Sequence, residues 1–180
     1  IGNAFCHLLF PKEEQLFTLM EKAIVENVEI TLVFACMREF QVEERGKLLK
    51  KVDNWCEKRQ TRVEILVNDW GMTALVKESG KHLEPCLGVL LNKQKKDPRM
   101  RYKKGSTRGL GESNLQADFY RTFLKDTYGI TRYEWESCGY PQVFPQGKNS
   151  LHLPYYQTNT SQYCPLYASC TESERGKQRL

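Results

Sequence analysis

The chain has 180 residues, of which 40% are hydrophobic and 27% charged, and its 27 Lys and Arg against 22 Asp and Glu give a net charge of +5. This composition argues against global disorder, and a chain of this length buries roughly 70% of its unfolded surface without needing disulfides. No segment approaches the roughly 18 apolar residues of a membrane helix, and residues 1–10 lack the features of a signal peptide. We therefore expect a globular protein that has no membrane partner.

The cysteine content is unusual because seven is an odd number, so the thiols cannot all pair within one chain. The chain is larger than most disulfide-built scaffolds and carries no visible export signal. We therefore expect a cytoplasmic protein whose thiols are buried, reactive or metal-bound. The cysteines are Cys6, Cys36, Cys56, Cys86, Cys138, Cys164 and Cys170.

Helical and strand patterns alternate in the first half of the chain. The predicted elements are helix 11–27, strand 29–35, helix 41–59, strand 62–67, helix 70–79 and strand 86–91. Pro11 and the acidic residues that follow it suit the start of the first helix. The predicted apolar stripe of this helix consists of Leu16, Leu19, Met20, Ala23 and Ile24 and ends at Asn27. The predicted apolar face of the second helix consists of Leu48, Leu49, Val52, Trp55 and Cys56.

A basic loop over residues 92–112 interrupts this alternation, and its length indicates either a function or disorder. Ser113 and Gln116 have the spacing of a capping box, which predicts the start of a helix that stops at Gly129. Two more strands follow, and the polar end of the chain is predicted to be flexible. These last predicted segments are strand 130–135, strand 150–156 and tail 171–180.

Strands that alternate with helices predict parallel βα units, and hence an α/β fold. Five strands form either an open sheet or a little over half of a TIM-like barrel, so we predict a partial or complete barrel. We interpret residues 1–180 as a single α/β domain or as a fragment of a larger barrel. An exposed edge of a parallel sheet is a liability, which predicts a homo- or hetero-oligomer.

Functional residues of parallel α/β folds lie beyond the carboxyl ends of the strands. After the first two predicted strands, this rule selects five side chains for substrate binding: Arg38, Glu39, Asn68, Asp69 and Trp70. Arg38 and Glu39 would bind an anionic group or orient a ligand, and the alternative is a simple ion pair. Asn68 and Asp69 would line the mouth of the sheet with Trp70 as an apolar wall, and the alternative is that they cap the next helix.

Cys164 and Cys170 stand close together in the segment SQYCPLYASC, and a proline follows the first of them. Thiolates on a short irregular loop suit a soft metal centre, and proline often lies beside a cluster ligand. Cys138 and Cys36 follow predicted strands at the same edge of the sheet, so they would complete a set of four metal ligands. The alternative is that these thiols are small buried side chains.

Two other interpretations concern the remaining cysteines and a histidine. Cys56, on an apolar helix face, and Cys86, at the start of a strand, are interpreted as buried structural thiols. Cys138 with His152 would instead form a thiol nucleophile and its base, which is the arrangement of a hydrolase.

Lys and Arg dominate the basic loop, with Tyr102 between them and Asp97 as the opposing charge. Such a cluster predicts contact with the phosphates of RNA, and the alternative is a solvated charged surface. The residues assigned to nucleic-acid binding are Lys95, Lys96, Arg99, Lys103 and Lys104.

Four stretches of the chain, EILVNDWG, CLGVLLNKQKKDPR, YGITRYEWE and SLHLPYYQTNTSQYCPLYASC, carry a family resemblance. Together they resemble the collagenase-like peptidase family of unassigned mechanism, most closely its uncharacterised bacterial branch. Relatives in that family hydroxylate ubiquinone and RNA without oxygen. The resemblance implies a barrel-like α/β fold and a [4Fe–4S] cluster held by four cysteines. It implies Cys164 and Cys170 as ligands and Cys138 as a third, while Cys36 is the fourth candidate from its position after a strand.

We therefore expect an iron–sulfur protein that assists an oxygen-independent hydroxylation or a related redox reaction on a small-molecule or RNA substrate. The alternatives are a peptidase-like hydrolase without a cluster and an RNA-binding module that uses residues 93–108. The sequence leaves open whether the chain is itself an enzyme.

Overall fold

The computed structural model describes residues 1–95, 111–138 and 142–155. Helices and strands alternate through these ranges. They are α1 Glu13–Val25, β1 Thr31–Val33, α2 Val42–Arg59, β2 Val63–Val67, α3 Trp70–Ser79, β3 Leu83–Leu87, α4 Asp118–Tyr128, β4 Arg132–Glu136 and β5 Lys148–His152. Within these ranges, no helix is both long and apolar enough to cross a membrane.

The five strands form one parallel sheet in the order β1-β2-β3-β4-β5. Sequential order is the order of a βα barrel, whereas a doubly wound sheet reverses direction at a switch point. The sheet curls into a half-barrel, which confirms the predicted α/β class and the partial barrel. Residues 1–3 extend it beyond β1, because the Val33 amide donates to the Ile1 carbonyl at 2.8 Å and Gly2 bridges Val33 in parallel.

Alternate residues of each strand face opposite sides of the sheet. One side faces the helices and belongs to the hydrophobic core; its strand residues include Leu32, Ile65, Leu87, Tyr133 and Trp135. We call the opposite side the inner face, because it lines the inside of the half-barrel. Its strand residues include Thr31, Glu64, Leu66, Cys86, Arg132, Glu134, Glu136, Ser150 and His152.

Polar side chains connect the strands across this inner face. Glu64 accepts hydrogen bonds from the Thr31 hydroxyl at 2.7 Å and from the Arg132 guanidinium. Arg132 also donates to the Ser150 hydroxyl at 2.8 Å. Four of the five strands are joined by these contacts. A barrel interior is usually filled by branched apolar side chains, so this inner face is unusually polar.

The core between sheet and helices follows the predicted pattern closely in α2 and less closely in α1. All five apolar residues predicted for the face of α2 are buried. In α1, Leu16 and Met20 are fully buried, but 44% of Leu19 and 41% of Ile24 are exposed. Leu19 lies at the margin of the stripe and Ile24 in the last turn, where it lines an open groove.

Contacts between α1 and α2 fix the orientation of the first helix. Glu13 pairs with Lys51 at 2.7 Å, and Glu21 accepts a hydrogen bond from the Trp55 indole at 2.7 Å. These pairs draw one side of α1 towards α2. The opposite margin of the predicted stripe is therefore left in solvent.

Several predicted boundaries differ from the structure. Strand β3 ends at Leu87, whereas the prediction of 86–91 followed the apolar run into a turn that the Leu91 amide closes on the Gly88 carbonyl at 3.1 Å. Ser113 accepts a hydrogen bond from the Leu115 amide at 3.1 Å and so caps a short 3-10 helix, after which α4 begins at Asp118. Strand β4 begins two residues later than predicted, whereas β5 begins two residues earlier and ends four residues earlier, because pairing with the neighbouring strands sets their register.

Candidate functional site

The carboxyl ends of the parallel strands bring polar residues to one edge of the sheet. Asn68 follows β2 directly, Asn92 ends the turn after β3, and Cys138 lies two residues beyond β4. Glu134 and His152 lie on the inner face beside them. We call these five residues the carboxyl-edge site.

Asp69 has a structural role that explains its position. One carboxylate oxygen accepts from the Met72 amide at 2.7 Å and caps α3, and the other accepts from the Met37 amide at 2.8 Å. The predicted alternative of a helix cap is therefore confirmed for Asp69 but not for Asn68, whose side-chain oxygen accepts from the Leu90 amide instead. Because both oxygens are engaged, Asp69 ties the segment after β1 to the start of α3.

Asn68 is held in an unusual environment next to Gly88. Its side chain is 4% exposed, and its amide oxygen accepts from the Leu90 amide at 3.3 Å. A Cβ atom at Gly88 would lie 2.1 Å from that oxygen, so only glycine leaves room for it. The Asn68 Nδ2 group is buried and has no hydrogen-bond partner among the described residues.

Cys36 lies at the carboxyl end of β1 and is exposed. Its thiol contacts the Asn68 carbonyl at 3.9 Å. Partial burial raises the pKa of the Cys36 thiol, and the carboxylate of Asp69 raises it further, while Lys93 opposes the shift. This surrounding favours the neutral thiol over the thiolate that a metal needs.

Side-chain amides anchor both ends of the basic loop to the carboxyl-edge site. The Asn92 amide donates to the Glu134 carbonyl at 2.8 Å, and the Ser113 hydroxyl donates to the Asn92 side-chain oxygen. Asn114 accepts from the Lys93 amide at 3.0 Å and donates to the Leu91 carbonyl at 3.0 Å. The ends of the loop are thus fixed against the sheet.

Cys138 is buried, with 7% of its surface exposed, at the end of β4. Its thiol donates to the Gln94 side-chain oxygen at 3.1 Å. Gln142 donates to the same oxygen at 2.9 Å and to the Glu136 carbonyl at 3.0 Å. The thiol of Cys138 therefore donates to a neutral amide oxygen, which Gln142 holds in place.

The imidazole of His152 contacts the carboxylate of Glu134 on the inner face, a pairing that was not among the residues predicted for the site. The His152 Nε2 atom lies 3.0 Å from a Glu134 carboxylate oxygen, and the carboxylate is buried while half of the imidazole is exposed. The alternation in RYEWE places Arg132, Glu134 and Glu136 on one face of the strand. This pattern was the sequence signal for a charged inner face that includes Glu134. Parallel strands that are buried on both faces are usually apolar, so charged residues within such a strand do not by themselves indicate a buried pair.

The other predicted substrate residues lie apart from this group. Arg38 precedes a 3-10 helix at Glu39–Gln41, where its amide donates to the Gln41 side chain at 3.0 Å. Trp70 begins α3 with 43% of its surface exposed. Its ring contacts Phe123 and Tyr128 of α4, on the helical side of the sheet.

The remaining predicted sites are covered only in part. Lys95 is exposed. Lys96, Arg99, Lys103, Lys104, Cys164 and Cys170, as well as tail 171–180, lie outside the described residues. Across the described ranges, no three His, Cys, Asp or Glu residues form a group that could hold a metal ion.

Cys36 and Cys138, the two candidate metal ligands within the described residues, lie at distant positions along the edge of the sheet. Cys36 follows β1 and Cys138 follows β4, with β2 and β3 between them. Three strand spacings correspond to about 14 Å along the sheet. Cys138 is instead the neighbour of β5, which leads towards Cys164 and Cys170 in the sequence.

Comparison with known proteins gives no match: no family model, no curated protein and no solved structure is similar to this chain. Function therefore has to be inferred from the chemistry of the site.

Proposed function

We propose that this chain is an iron–sulfur protein that assists an oxygen-independent hydroxylation or a related redox reaction. The observation that carries the proposal is the position of Cys138, a buried thiol at the carboxyl edge between β4 and β5. The chain continues from β5 to Cys164 and Cys170, and thiolates are the usual ligands of iron–sulfur clusters. In the proposal these three residues hold the cluster.

The burial of Cys138 and its position beside β5 fit such a ligand. Its thiol donates to the side-chain oxygen of Gln94, a neutral group, and this hydrogen bond would be given up when the sulfur binds iron. Cys36 fits less well because Asp69 disfavours its thiolate and two strands intervene. We therefore keep Cys36 as the weakest of the four candidate ligands.

A cluster, when bound, supplies single-electron transfer at this edge. The residues of the chain supply the rest of the site. Asn92 fixes the backbone of β4, and Glu134 paired with His152 forms a buried carboxylate with a partly exposed imidazole. Such a pair can hold a proton at Nε2 of His152 and exchange it with solvent. The substrate would lie over the inner face beside this pair.

The alternative functions receive less support from the described contacts. Cys138 donates to Gln94, whereas His152 pairs with Glu134, so the two residues of the hydrolase hypothesis have different partners. RNA binding by the basic loop stays a prediction, since most of its residues lie outside the described ranges.

The test is anaerobic reconstitution of the full chain with iron and sulfide, followed by absorption spectroscopy and counting of iron and sulfide per chain. We expect about four irons and a broad band near about 400 nm. Cys138→Ala and Cys138→Ser should both lose the band. Cys56→Ala is the matched control, because Cys56 is buried in the hydrophobic core on the inner side of α2. This variant should leave the absorption band unchanged.

Full iron content in both folded Cys138 variants would overturn the assignment of this ligand. A wild-type chain that stays colourless and binds no iron would overturn the proposed function itself. Circular dichroism of each variant separates loss of the cluster from loss of the fold.

A further inference from the structure

A half-buried arginine beside the carboxyl end of β1 has no acidic partner among the described residues. Arg45, near the start of α2, places its guanidinium 4.9 Å from the ring centroid of Phe10 and 5.4 Å from that of Phe34. The two rings are themselves stacked, with their centroids 4.5 Å apart. Arg59 and Arg62, in contrast, each pair with a carboxylate. The charge of Arg45 is therefore packed against aromatic rings rather than against a counter-charge.

This packing partly removes a permanent charge from water. Burial lowers the pKa of Arg45, and the neighbouring Glu44 only partly offsets that effect. A guanidinium that lies over aromatic rings is shielded on that side and keeps its N–H donors for an acceptor elsewhere. Because the rings hold the group in place, less side-chain freedom is lost when an acceptor binds. Arg45 is thus a preorganised donor.

A second donor lies on the same side of α2. Gln41 precedes Arg45 by four residues, a spacing that brings two side chains together on a helix surface. Only 4% of Gln41 is exposed, and its side-chain oxygen accepts from the Arg38 amide at 3.0 Å. Among the described residues, none accepts a hydrogen bond from its amide nitrogen. Since unpaired donors in such surroundings are costly, this nitrogen is suited to an acceptor from outside.

Both donors line one narrow cleft between the start of α2 and the end of β1. Phe10, Phe34 and Met37 contribute to its apolar walls, and no Asp or Glu is among the described residues that line it. Arg38, which the sequence analysis selected for an anionic group, does not line the cleft either. The cleft is too narrow to enclose a small molecule, so a ligand would be held at its mouth by one end.

We infer that this cleft is a binding site for an oxyanion, namely the carboxylate or phosphate group at one end of a small ligand. The planar fork of the Arg45 guanidinium matches two oxygens of such a group in geometry and charge, and the Gln41 amide would donate to it as well. A cationic ligand would meet no counter-charge here, and an apolar one would leave both donors unpaired. The claim that the oxyanion belongs to the substrate rests on the proposed function, whereas its binding needs no cluster.

The experiment is a titration of the cluster-free full chain at constant ionic strength, with inorganic phosphate in one arm and acetate in the other. Nuclear magnetic resonance follows the Nε–H signals of the arginines. We expect the Arg45 signal to shift until it saturates, while the signal of Arg62 stays in place, because Arg62 is exposed and already paired with Glu84. The arm that saturates at the lower concentration identifies the preferred oxyanion. Ethylammonium, a cation of similar size to acetate, should not shift the Arg45 signal.

Two variants and one control assign the donors. Arg45→Lys keeps the charge but loses the planar fork, so it should weaken binding of the preferred anion about tenfold, as measured on the side-chain amide signal of Gln41. Gln41→Leu removes a neutral donor and should weaken binding about fivefold, as measured on the Arg45 signal. Arg62→Lys should bind as tightly as the wild type, since Arg62 lies at the amino end of β2. Circular dichroism checks that each variant is folded.

Three results would overturn the assignment: an Arg45 signal that neither anion moves, equal shifts of Arg45 and Arg62, or unchanged binding in both folded variants. These results are independent of the iron content. A chain that binds an oxyanion but no iron supports this site while the proposed function fails, and a chain that binds iron but neither anion does the reverse.

Discussion

Single residues at the carboxyl edge differ in chemistry because their immediate neighbours differ. Cys36 and Cys138 both follow a strand, but the negative charge of Asp69 acts on the Cys36 thiol, whereas the Cys138 thiol donates to the side-chain oxygen of Gln94. A carboxylate near a thiol raises the pKa of that thiol, since it opposes the second negative charge. The Cys36 thiol should therefore react as a thiolate at higher pH than an ordinary thiol does.

The Asp69→Asn variant tests this electrostatic effect on Cys36. Only the thiolate is alkylated at an appreciable rate, and a raised pKa moves alkylation of Cys36 to higher pH than for an ordinary thiol. Asparagine removes the charge and keeps an oxygen to cap α3, but it loses the acceptor for the Met37 amide, so circular dichroism must show that the variant keeps its fold. We expect the pH profile for alkylation of Cys36 by iodoacetamide to move to lower pH, as measured by mass spectrometry of its peptide. Burial remains in the variant, so the profile should not move below that of a free thiol.

Cys36→Ser identifies the peptide and the background rate. An Asp69→Asn profile that is unchanged or that moves to higher pH would contradict the role assigned to the carboxylate.

At the scale of an element, helix α1 shows that a predicted apolar stripe need not be buried across its whole width. The apolar stripe of this helix included both Leu16 and Leu19, but only Leu16 is enclosed. Helix periodicity selects a broad face, and the contacts with α2 decide which part of that face is covered.

The pair Leu16→Ala and Leu19→Ala measures this difference within one helix. Leu16→Ala removes a fully buried side chain and should lower the free energy of unfolding by about 2–5 kcal/mol. Leu19→Ala removes a side chain that is 44% exposed and should cost well under about 2 kcal/mol. Urea denaturation of the three proteins gives both values. Equal losses would show that Leu19 is as well packed as Leu16.

At the scale of the whole molecule, the polar network of the inner face connects distant parts of the chain. Arg132 of β4 reaches Glu64 of β2 and Ser150 of β5. Removing one partner of a largely buried ion pair leaves the other charge uncompensated, and this is more costly than removing the pair.

Arg132→Met should therefore lower the free energy of unfolding by about 2–4 kcal/mol, somewhat less than for a fully buried pair. The double variant Arg132→Met with Glu64→Gln should recover part of this loss, because it removes the uncompensated carboxylate. Arg62→Met is the matched control on the same sheet: its partner Glu84 is exposed, so the loss should stay below about 1 kcal/mol.

Denaturant unfolding of all four proteins measures these effects. Two outcomes would contradict this role of the polar network. One is a loss of unfolding free energy in Arg132→Met that is no larger than in Arg62→Met, and the other is a double variant that is less stable than Arg132→Met alone.

Local sequence patterns were enough to predict the alternation of helices and strands, the buried face of α2 and the candidate residues at the carboxyl edge. These properties follow from local periodicity, from turn residues and from the direction of parallel strands, all of which can be recognised within a short segment. The Asp69 cap was also identified as an alternative, because capping depends on neighbouring residues.

Tertiary structure decided the rest, because it depends on residues that are distant in the chain. The end of β3 at Leu87 follows from its register with β2 rather than from the apolar run. The buried side chain of Asn68 fits its place because Gly88, twenty positions later, leaves space beside it. The pairing of Glu134 with His152 likewise requires β5 to lie next to β4. Local patterns specify each element, whereas the site is formed where elements from separate parts of the sequence meet.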